Sequence, residues 1–147
     1  MSLTFVHRKQ IEFSETDMAG IVHFSNFFRM MEAAEHAFLR SLGFSVHAAS
    51  ADGVIGWPRV KVSCEYLKPL RFEEVVDIEL HVAEVRNRSV CYRFVFRREN
   101  GGEKVAEGQV VAVCAHVDPT TGVLAAVAIP ADLRVELERR QQPHLGA

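Results

Sequence analysis

A short stretch near the N-terminus, residues 15–27, combines a carboxylate in a predicted loop, a glycine and the start of a helical pattern. It reads ETDMAGIVHFSNF, with Asp17 in a predicted loop and Gly20 behind it. The first turn of a helix has unpaired N–H groups and the positive end of the helix dipole. Such donors stabilise the charge that develops on a carbonyl oxygen, by about 2.7–4 kcal/mol per donor. A carboxylate beside that carbonyl can attack it, forming an anhydride, or can take a proton from an attacking water. The pattern thus indicates chemistry at an activated carbonyl such as a thioester, although spacing alone favours an Asp17 that is solvated or caps a turn.

One long helix would position these groups. Apolar residues recur at three- and four-residue intervals over residues 25–42, which predicts an amphipathic helix about 27 Å long. Ser25 or Asn26 can cap its first turn, and Gly43 stands where a left-handed residue would end it. The apolar face consists of Phe27, Phe28, Met31, Ala34, Phe38 and Leu42.

Most of the remaining sequence has strand character. Loose alternation predicts a first strand, and a Gly-containing segment, residues 43–58, predicts a crossover. Turn sequences at 100–102 and 118–122 join antiparallel neighbours, and Pro130 opens a short C-terminal helix, about residues 131–141. This order predicts a single α+β domain over residues 1–147, with a sheet packed on the long helix. The predicted strands are residues 3–14, 59–68, 75–85, 89–98, 103–117 and 123–128.

The composition argues against several classes of function. A net charge of -2 gives no electrostatic footprint for nucleic acid, so no such partner is expected. Three scattered cysteines match neither a zinc site nor a disulfide framework, which predicts reduced core residues. Residues 1–15 lack the apolar stretch of a signal peptide, and no apolar run approaches the ~20 residues that span a bilayer. A cytoplasmic protein without membrane insertion is expected.

The long helix also has residues that could suggest a metal site. Glu32, Glu35 and His36 lie at turn spacing and could share one face. Only one helix supplies these ligands, and no second cluster completes a coordination shell, so no metal is expected. Pairing with Arg29 and Arg40, or contact with another subunit, is the favoured alternative.

Residues 17–22, DMAGIV, together with Asn26 and Phe27, resemble the active-site signature of the hydroxybenzoyl-CoA thioesterase and YbgC-like branch of hotdog thioesterases. The resemblance extends along the whole chain, since the helix, the meander of strands and the closing stretch 129–132 fall in the expected order. It implies a hotdog fold, in which an antiparallel sheet of five to six strands wraps around one long central helix, about residues 25–42. It also implies hydrolysis of an acyl-CoA thioester to free acid and CoA, with no cofactor because coenzyme A is part of the substrate.

The resemblance carries roles for individual residues. It makes Asp17 the nucleophile or general base, places the oxyanion donor at the Phe24 backbone amide, and lets Gly20 turn the loop. A basic turn between two predicted strands, which implies contacts with the CoA phosphates, contains Arg86, Asn87 and Arg88; an ordinary charged hairpin is the alternative. The expected substrate-binding residues are His23, Asn26, Phe27, Met31, Cys64, Glu65 and Tyr66, of which the last three would line a partner's pocket.

Several alternatives stay open at the level of sequence. His23 stands where many relatives have an aromatic residue, and it could bind substrate or water or be structural. The resemblance implies a homodimer or homotetramer with active sites between subunits, which would also cover the sheet edge. A hotdog acyl-CoA hydratase or dehydratase, or a non-catalytic acyl-CoA-binding module, are the rival functions. Aromatic and short aliphatic acyl groups are both compatible with the sequence.

Overall fold

The computed structural model describes residues 4–50 and 53–142. Nine strands and two α-helices lie in these ranges, together with a short 3₁₀ helix at Phe13–Glu15. The strands are β1 (Phe5–Gln10), β2 (Ala48–Ser50), β3 (Gly53–Gly56), β4 (Arg59–Tyr66), β5 (Val75–Val85), β6 (Ser89–Arg98), β7 (Lys104–Val113), β8 (Ala115–Val117) and β9 (Leu124–Ala126). The helices are α1 (Asn26–Ser41) and α2 (Ala131–Arg139).

The main sheet is antiparallel and has the order β1-β5-β6-β7-β4. Helix α1 packs on one face of it and buries the predicted apolar stripe, so the predicted long helix is confirmed to within a residue at each end. A side chain at Gly108 on β7 would overlap the Met31 thioether, which explains why that position is glycine. The fully buried core side chains of the helix and sheet include Met30, Met31, Leu39, Ile78, Leu80, Tyr92, Phe94 and Phe96.

A second, smaller sheet has the order β2-β3-β8-β9. It begins where the chain leaves the main sheet at Cys114, whose amide donates to the Arg88 carbonyl at the end of the β6–β7 pairing and whose carbonyl accepts the Val127 amide. The predicted single strand 103–117 is therefore two strands, and the predicted crossover 43–58 contains β2 and β3 on either side of residues 51–52, which lie outside the described ranges. Strands of three or four residues are too short to show a readable alternation.

The predicted sheet of five to six strands around one helix is therefore only partly confirmed. The described residues form a five-stranded sheet, a separate four-stranded sheet and a second helix, α2, as well as α1. Helix α2 has nine residues and buries Leu133 and Leu137, and it contacts β5. The predicted first strand also ends early, at Gln10, because the chain turns into the 3₁₀ helix.

The hairpin predicted at residues 100–102 is confirmed between β6 and β7. Asn100 and Gly101 have φ values of 62° and 73°, the left-handed conformation that these two residue types tolerate best. Gly43 ends α1 with a φ of 87°, also as predicted. Neither helix in the described part of the chain has the length and apolar character needed to cross a bilayer.

Candidate active site

The Asp17 loop is held closed by its own backbone. The Asp17 amide donates to the Ile21 carbonyl at 2.9 Å, and the Gly20 amide donates back to the Asp17 carbonyl at 2.9 Å. A β-bridge between Thr16 and Val22 closes the base of the loop. Gly20 has a φ of +80°, which an L residue adopts only with strain. The loop that presents the carboxylate is therefore fixed by a turn that requires glycine.

The Asp17 carboxylate is partly exposed and borders open space on two sides. One oxygen, Oδ1, accepts a hydrogen bond from the Ala19 amide at 2.9 Å. No Lys, Arg or His of the described ranges forms an ion pair with it. Two cavities meet at this residue, with volumes of about 520 and 840 Å³. Because no cation in the described part of the chain pairs with it, this carboxylate can accept a hydrogen bond from a ligand in the cavity or react with that ligand.

We call the smaller space the Tyr66 cavity. It lies between the Asp17 loop, the start of α1 and the segment that follows β4, and its size is in the usual range for small-molecule sites. Its walls are mostly apolar, with few polar groups. The lining residues are Asp17, Ile21, Val22, Phe24, Phe27 and Tyr66–Leu70.

Phe24 lines this cavity just before α1 begins. Its carbonyl oxygen accepts a hydrogen bond from the Tyr66 hydroxyl at 2.9 Å. Its N–H has no acceptor among the residues described, whereas the amides of His23 and Asn26 on either side are both bonded to backbone carbonyls. Phe24 thus lines the same cavity as Asp17 and has an N–H that is free among the described residues, and its role as oxyanion donor stays a prediction.

Tyr66 belongs to the cavity of its own chain. Its ring packs edge-on against Phe27 with centroids 5.1 Å apart, and burial raises the pKa of its hydroxyl to about 12, so the group stays protonated and can donate. The expectation that Tyr66, Cys64 and Glu65 also line a partner's pocket stays a prediction. Cys64 and Glu65 lie on the edge strand β4 and border neither of the two cavities at Asp17.

We call the larger space the His23 cavity. It lies on the other side of the Asp17 loop and combines an apolar rim with polar groups. Phe13 and Phe72 meet edge-on across the rim with centroids 5.9 Å apart, a contact that sequence reasoning missed because the two residues are 59 positions apart. The predicted residue Asn26 borders this cavity, and its side chain donates to the Glu15 carbonyl at 2.8 Å. The lining residues are Phe13, Ser14, Thr16, Asp17, Met18, Gly20, His23, Asn26 and Phe72.

Two predicted groups lie away from Asp17. Met31 is fully buried, and it lines a different cavity of about 210 Å³. The turn Arg86–Arg88 connects β5 to β6 at the end of the sheet opposite the β6–β7 hairpin. The Asp17 loop contacts Leu70, which lies near the β6–β7 hairpin. The length of the strands, roughly 30 Å, therefore separates the Arg86–Arg88 turn from Asp17 within one chain. Arg86 and Arg88 therefore do not reach the Asp17 of their own subunit.

The acidic residues of α1 do not form a metal centre. The described ranges contain no group of three or more His, Cys, Asp and Glu side chains that could hold an ion. Glu35 is 2% exposed and pairs with both guanidinium nitrogens of Arg59 on β4, rather than with the predicted Arg29 or Arg40. Burial raises the pKa of Glu35, and Arg59 opposes that shift. This buried ion pair joins the central helix to the edge strand.

The fold and the site define a hotdog thioesterase. The chain belongs to the thioesterase superfamily, whose family profile matches residues 19–105. The 4-hydroxybenzoyl-CoA thioesterase of Pseudomonas sp. (strain CBS-3) is 28% identical over 137 residues, which cover 90% of this chain and 96% of the relative. The acyl-CoA thioester hydrolase YbgC of Escherichia coli O6:H1 is 28% identical over 111 residues, covering 75% and 79%.

The solved structure of BH1999 gentisyl-coenzyme A thioesterase is also similar, with a TM-score of 0.74 at 28% identity, covering 91% of this chain and 99% of that one. The resemblance to the hydroxybenzoyl-CoA and YbgC-like branch is therefore confirmed. These proteins are what the chain is similar to.

Proposed function

We propose that this protein hydrolyses an acyl-CoA thioester to a free acid and CoA, with Asp17 as the catalytic carboxylate. The observation that carries the proposal is the meeting of two groups in one apolar cavity, the unpaired Asp17 carboxylate and the free Phe24 N–H. Relatives over most of the chain are named as thioesterases and thioester hydrolases of acyl-CoA, which supports the same reaction class.

In this mechanism the thioester carbonyl oxygen accepts the Phe24 N–H. Negative charge that develops on the oxygen is stabilised by a donor already in place and by the N-terminal end of α1. Asp17 either attacks the carbonyl carbon, giving an anhydride that water then hydrolyses, or removes a proton from the attacking water. In both routes the C–S bond breaks, the CoA thiolate leaves, and its sulfur takes up a proton.

We further propose that the active site is completed by a second copy of the chain. Strand β4 is an edge strand whose Val60 and Val62 side chains are 63% and 48% exposed, an arrangement that invites strand pairing. A two-fold axis would pair two β4 strands antiparallel and bring the start of one beside the Tyr66 end of the other. The start of β4 adjoins a cavity of about 370 Å³ that Lys61 and Arg86 share. This basic cluster of the second copy would then meet the CoA phosphates near Asp17.

The test is a panel of aromatic and short aliphatic acyl-CoA thioesters with detection of the released thiol. We expect turnover on part of the panel and a fall of orders of magnitude for Asp17→Asn, with unchanged folding and oligomeric state. Full turnover by the Asp17→Asn variant would show that the Asp17 carboxylate is not needed for the reaction. Size-exclusion chromatography with light scattering tests assembly, for which a monomer at working concentration is the contrary result.

A second candidate is hydration of an enoyl-CoA, because an imidazole and a carboxylate line the same His23 cavity. Loss of enoyl absorbance without release of thiol would favour that reaction. Binding of acyl-CoA without any turnover would instead indicate a non-catalytic module. A substrate of the acyl-CoA class and three free cysteines fit a cytoplasmic location.

A further inference from the structure

His23 makes contacts through both its backbone and its ring. Its amide donates to the Glu15 carbonyl at 2.9 Å, and its own carbonyl accepts the Asn26 amide at 2.9 Å. Its ring stacks on the Phe24 ring with centroids 4.5 Å apart and an interplanar angle of 30°. Backbone and side chain are therefore both fixed, next to the residue that supplies the free amide.

The hydrogen bonds of the ring determine where its proton lies. Nδ1 is 3.3 Å from the Ser25 amide nitrogen and 2.7 Å from the Ser25 hydroxyl oxygen. An amide N–H can only donate, so Nδ1 must be the acceptor. In a neutral imidazole the other nitrogen, Nε2, then carries the hydrogen. Ser25 thus selects the Nε2–H tautomer of His23.

That Nε2–H has no acceptor in the part of the chain that the structure describes. His23 lines the His23 cavity together with Asp17. The rim of this cavity includes two strongly exposed apolar side chains, Phe13, which is 74% exposed, and Met18, which is fully exposed. A single oriented donor beside a carboxylate and an apolar rim is the pattern of a ligand site, in which few polar groups fix the orientation.

We propose that His23 is a substrate-contacting residue whose fixed Nε2–H donates a hydrogen bond to an oxygen atom of the bound acyl-CoA, and that Ser25 is the positioning residue that sets its tautomer. The inference rests on the proposed thioesterase function. It assigns the His23 cavity to the same substrate whose carbonyl lies against the Phe24 amide, since Asp17 borders both cavities.

A purely structural role would make His23 only a brace for Ser25 at the start of α1. Two substitutions separate the two roles. His23→Asn retains a polar atom near the position of Nδ1, where it can contact Ser25, and lacks a donor at Nε2. His23→Gln retains a donor near the position of Nε2 and loses the contact with Ser25.

The measurement is kcat/KM on the acyl-CoA that the wild type hydrolyses best. We expect His23→Ala and His23→Asn to fall by about tenfold, the scale of one lost hydrogen bond, and His23→Gln to keep most of the activity. An Ala variant with full kcat/KM overturns the proposal. The proposal is also overturned if His23→Asn retains wild-type kcat/KM and His23→Gln loses it, because the contact between His23 and Ser25 then accounts for the effect.

A second readout does not depend on turnover. NMR spectroscopy of protein labelled with ¹⁵N-histidine distinguishes the tautomers. The two ring-nitrogen signals of His23 are assigned as those that disappear in His23→Gln. When the ring is neutral, they should show the hydrogen on Nε2. Ser25→Ala should shift this toward a mixture of tautomers, and a wild-type ring protonated at Nδ1 overturns the proposal. If no acyl-CoA is hydrolysed, the proposed function fails on the panel. If Asp17→Asn is inactive while His23→Ala is fully active, only the present inference fails.

Discussion

The Tyr66 hydroxyl donates a hydrogen bond to the Phe24 carbonyl across the mouth of the Tyr66 cavity, at 2.9 Å. The two residues are 42 positions apart, so this bond ties the end of β4 to the turn that precedes α1. The free N–H proposed to bind the thioester oxygen belongs to the same Phe24. The orientation of that donor therefore depends on a side chain from the edge strand.

Tyr66→Phe should lower kcat by up to about tenfold, because a single hydrogen bond contributes about 0.5–1.5 kcal/mol. The phenyl ring keeps the edge-on packing against Phe27, so the free energy of unfolding should fall by no more than the contribution of that one bond, and KM should stay near its wild-type value. Steady-state kinetics and urea unfolding check this. Wild-type kcat in Tyr66→Phe would contradict a positioning role.

Gly20→Ala should reduce turnover strongly. The φ of +80° at Gly20 costs an L residue about 1–2 kcal/mol, and relief of that strain would move the Asp17 loop. Gly122→Ala is the matched control, because Gly122 has a φ of +72° in the distant β8–β9 turn with no atom near its Cα that a methyl would strike. Both variants should lose similar stability by urea unfolding, and only Gly20→Ala should lose activity. Comparable activity in the two would show that the Asp17 loop tolerates movement.

The Asp17 site could be predicted from sequence because its parts are local. Carboxylate, glycine, free amide and helix start all lie within residues 15–27, and each follows from residue type and helix geometry. The resemblance to a family then selected thioester chemistry from among the possible uses of these groups. The long strands β5 and β6 were predicted to the residue for a related reason, since both segments are rich in β-branched and aromatic residues.

Contacts between distant positions could not be predicted. Nothing near Glu35 indicates that its partner is Arg59 on the edge strand, because the pairing depends on how α1 crosses the sheet. The hydrogen bond between Tyr66 and Phe24 could not be predicted for the same reason. In the second sheet, β9 was predicted within residues 123–128, whereas β2 and β3 were missed and β8 was joined to β7, because segments of three or four residues carry little periodicity.

Arg59→Met should destabilise the protein by about 3–5 kcal/mol at neutral pH, since it leaves the buried Glu35 carboxylate unpaired. Burial already raises the pKa of Glu35, and loss of the guanidinium raises it further. A carboxyl group with a raised folded-state pKa stabilises the fold below its unfolded value, about 4.3, and loses that contribution as the pH rises through the folded pKa. The deficit against wild type should therefore be smallest in acid and largest near neutrality.

Urea unfolding of wild type and Arg59→Met at an acid and a neutral pH measures this difference. The control is the pair Glu35→Gln and Glu35→Gln/Arg59→Met, because neither variant has a carboxylate at position 35, so the difference in stability between these two should change little with pH. A deficit of Arg59→Met that is the same at both pH values would mean that Glu35 is not the residue responsible.

Cys64 should be a slow nucleophile despite its position on the edge strand. Burial raises the pKa of its thiol to about 11, and only the thiolate reacts with alkylating agents. Its rate of modification by iodoacetamide should still rise about tenfold per pH unit where an ordinary thiol, with a pKa of about 8.5, has already levelled off. Peptide mass spectrometry after timed labelling measures the rate, with urea-unfolded protein as the control. A plateau near the ordinary thiol value would contradict the expectation.

Arg88→Ala should weaken binding of the nucleotide part of CoA without altering the chemical step. Arg88 is exposed at the β5–β6 turn, and within the described ranges its guanidinium has no carboxylate partner, whereas Arg86 pairs with Glu84 at 2.9 Å. A charge-assisted contact with phosphate is worth about 1.5–3 kcal/mol before screening, so KM for an acyl-CoA should rise by about tenfold at low salt and by less at high salt. The same acyl group on pantetheine, which lacks the nucleotide, should be hydrolysed equally by variant and wild type. Arg139→Ala, on the exposed side of α2, is the control for loss of one positive charge. Equal effects on both substrates would place Arg88 outside the CoA site, because only a phosphate contact distinguishes them.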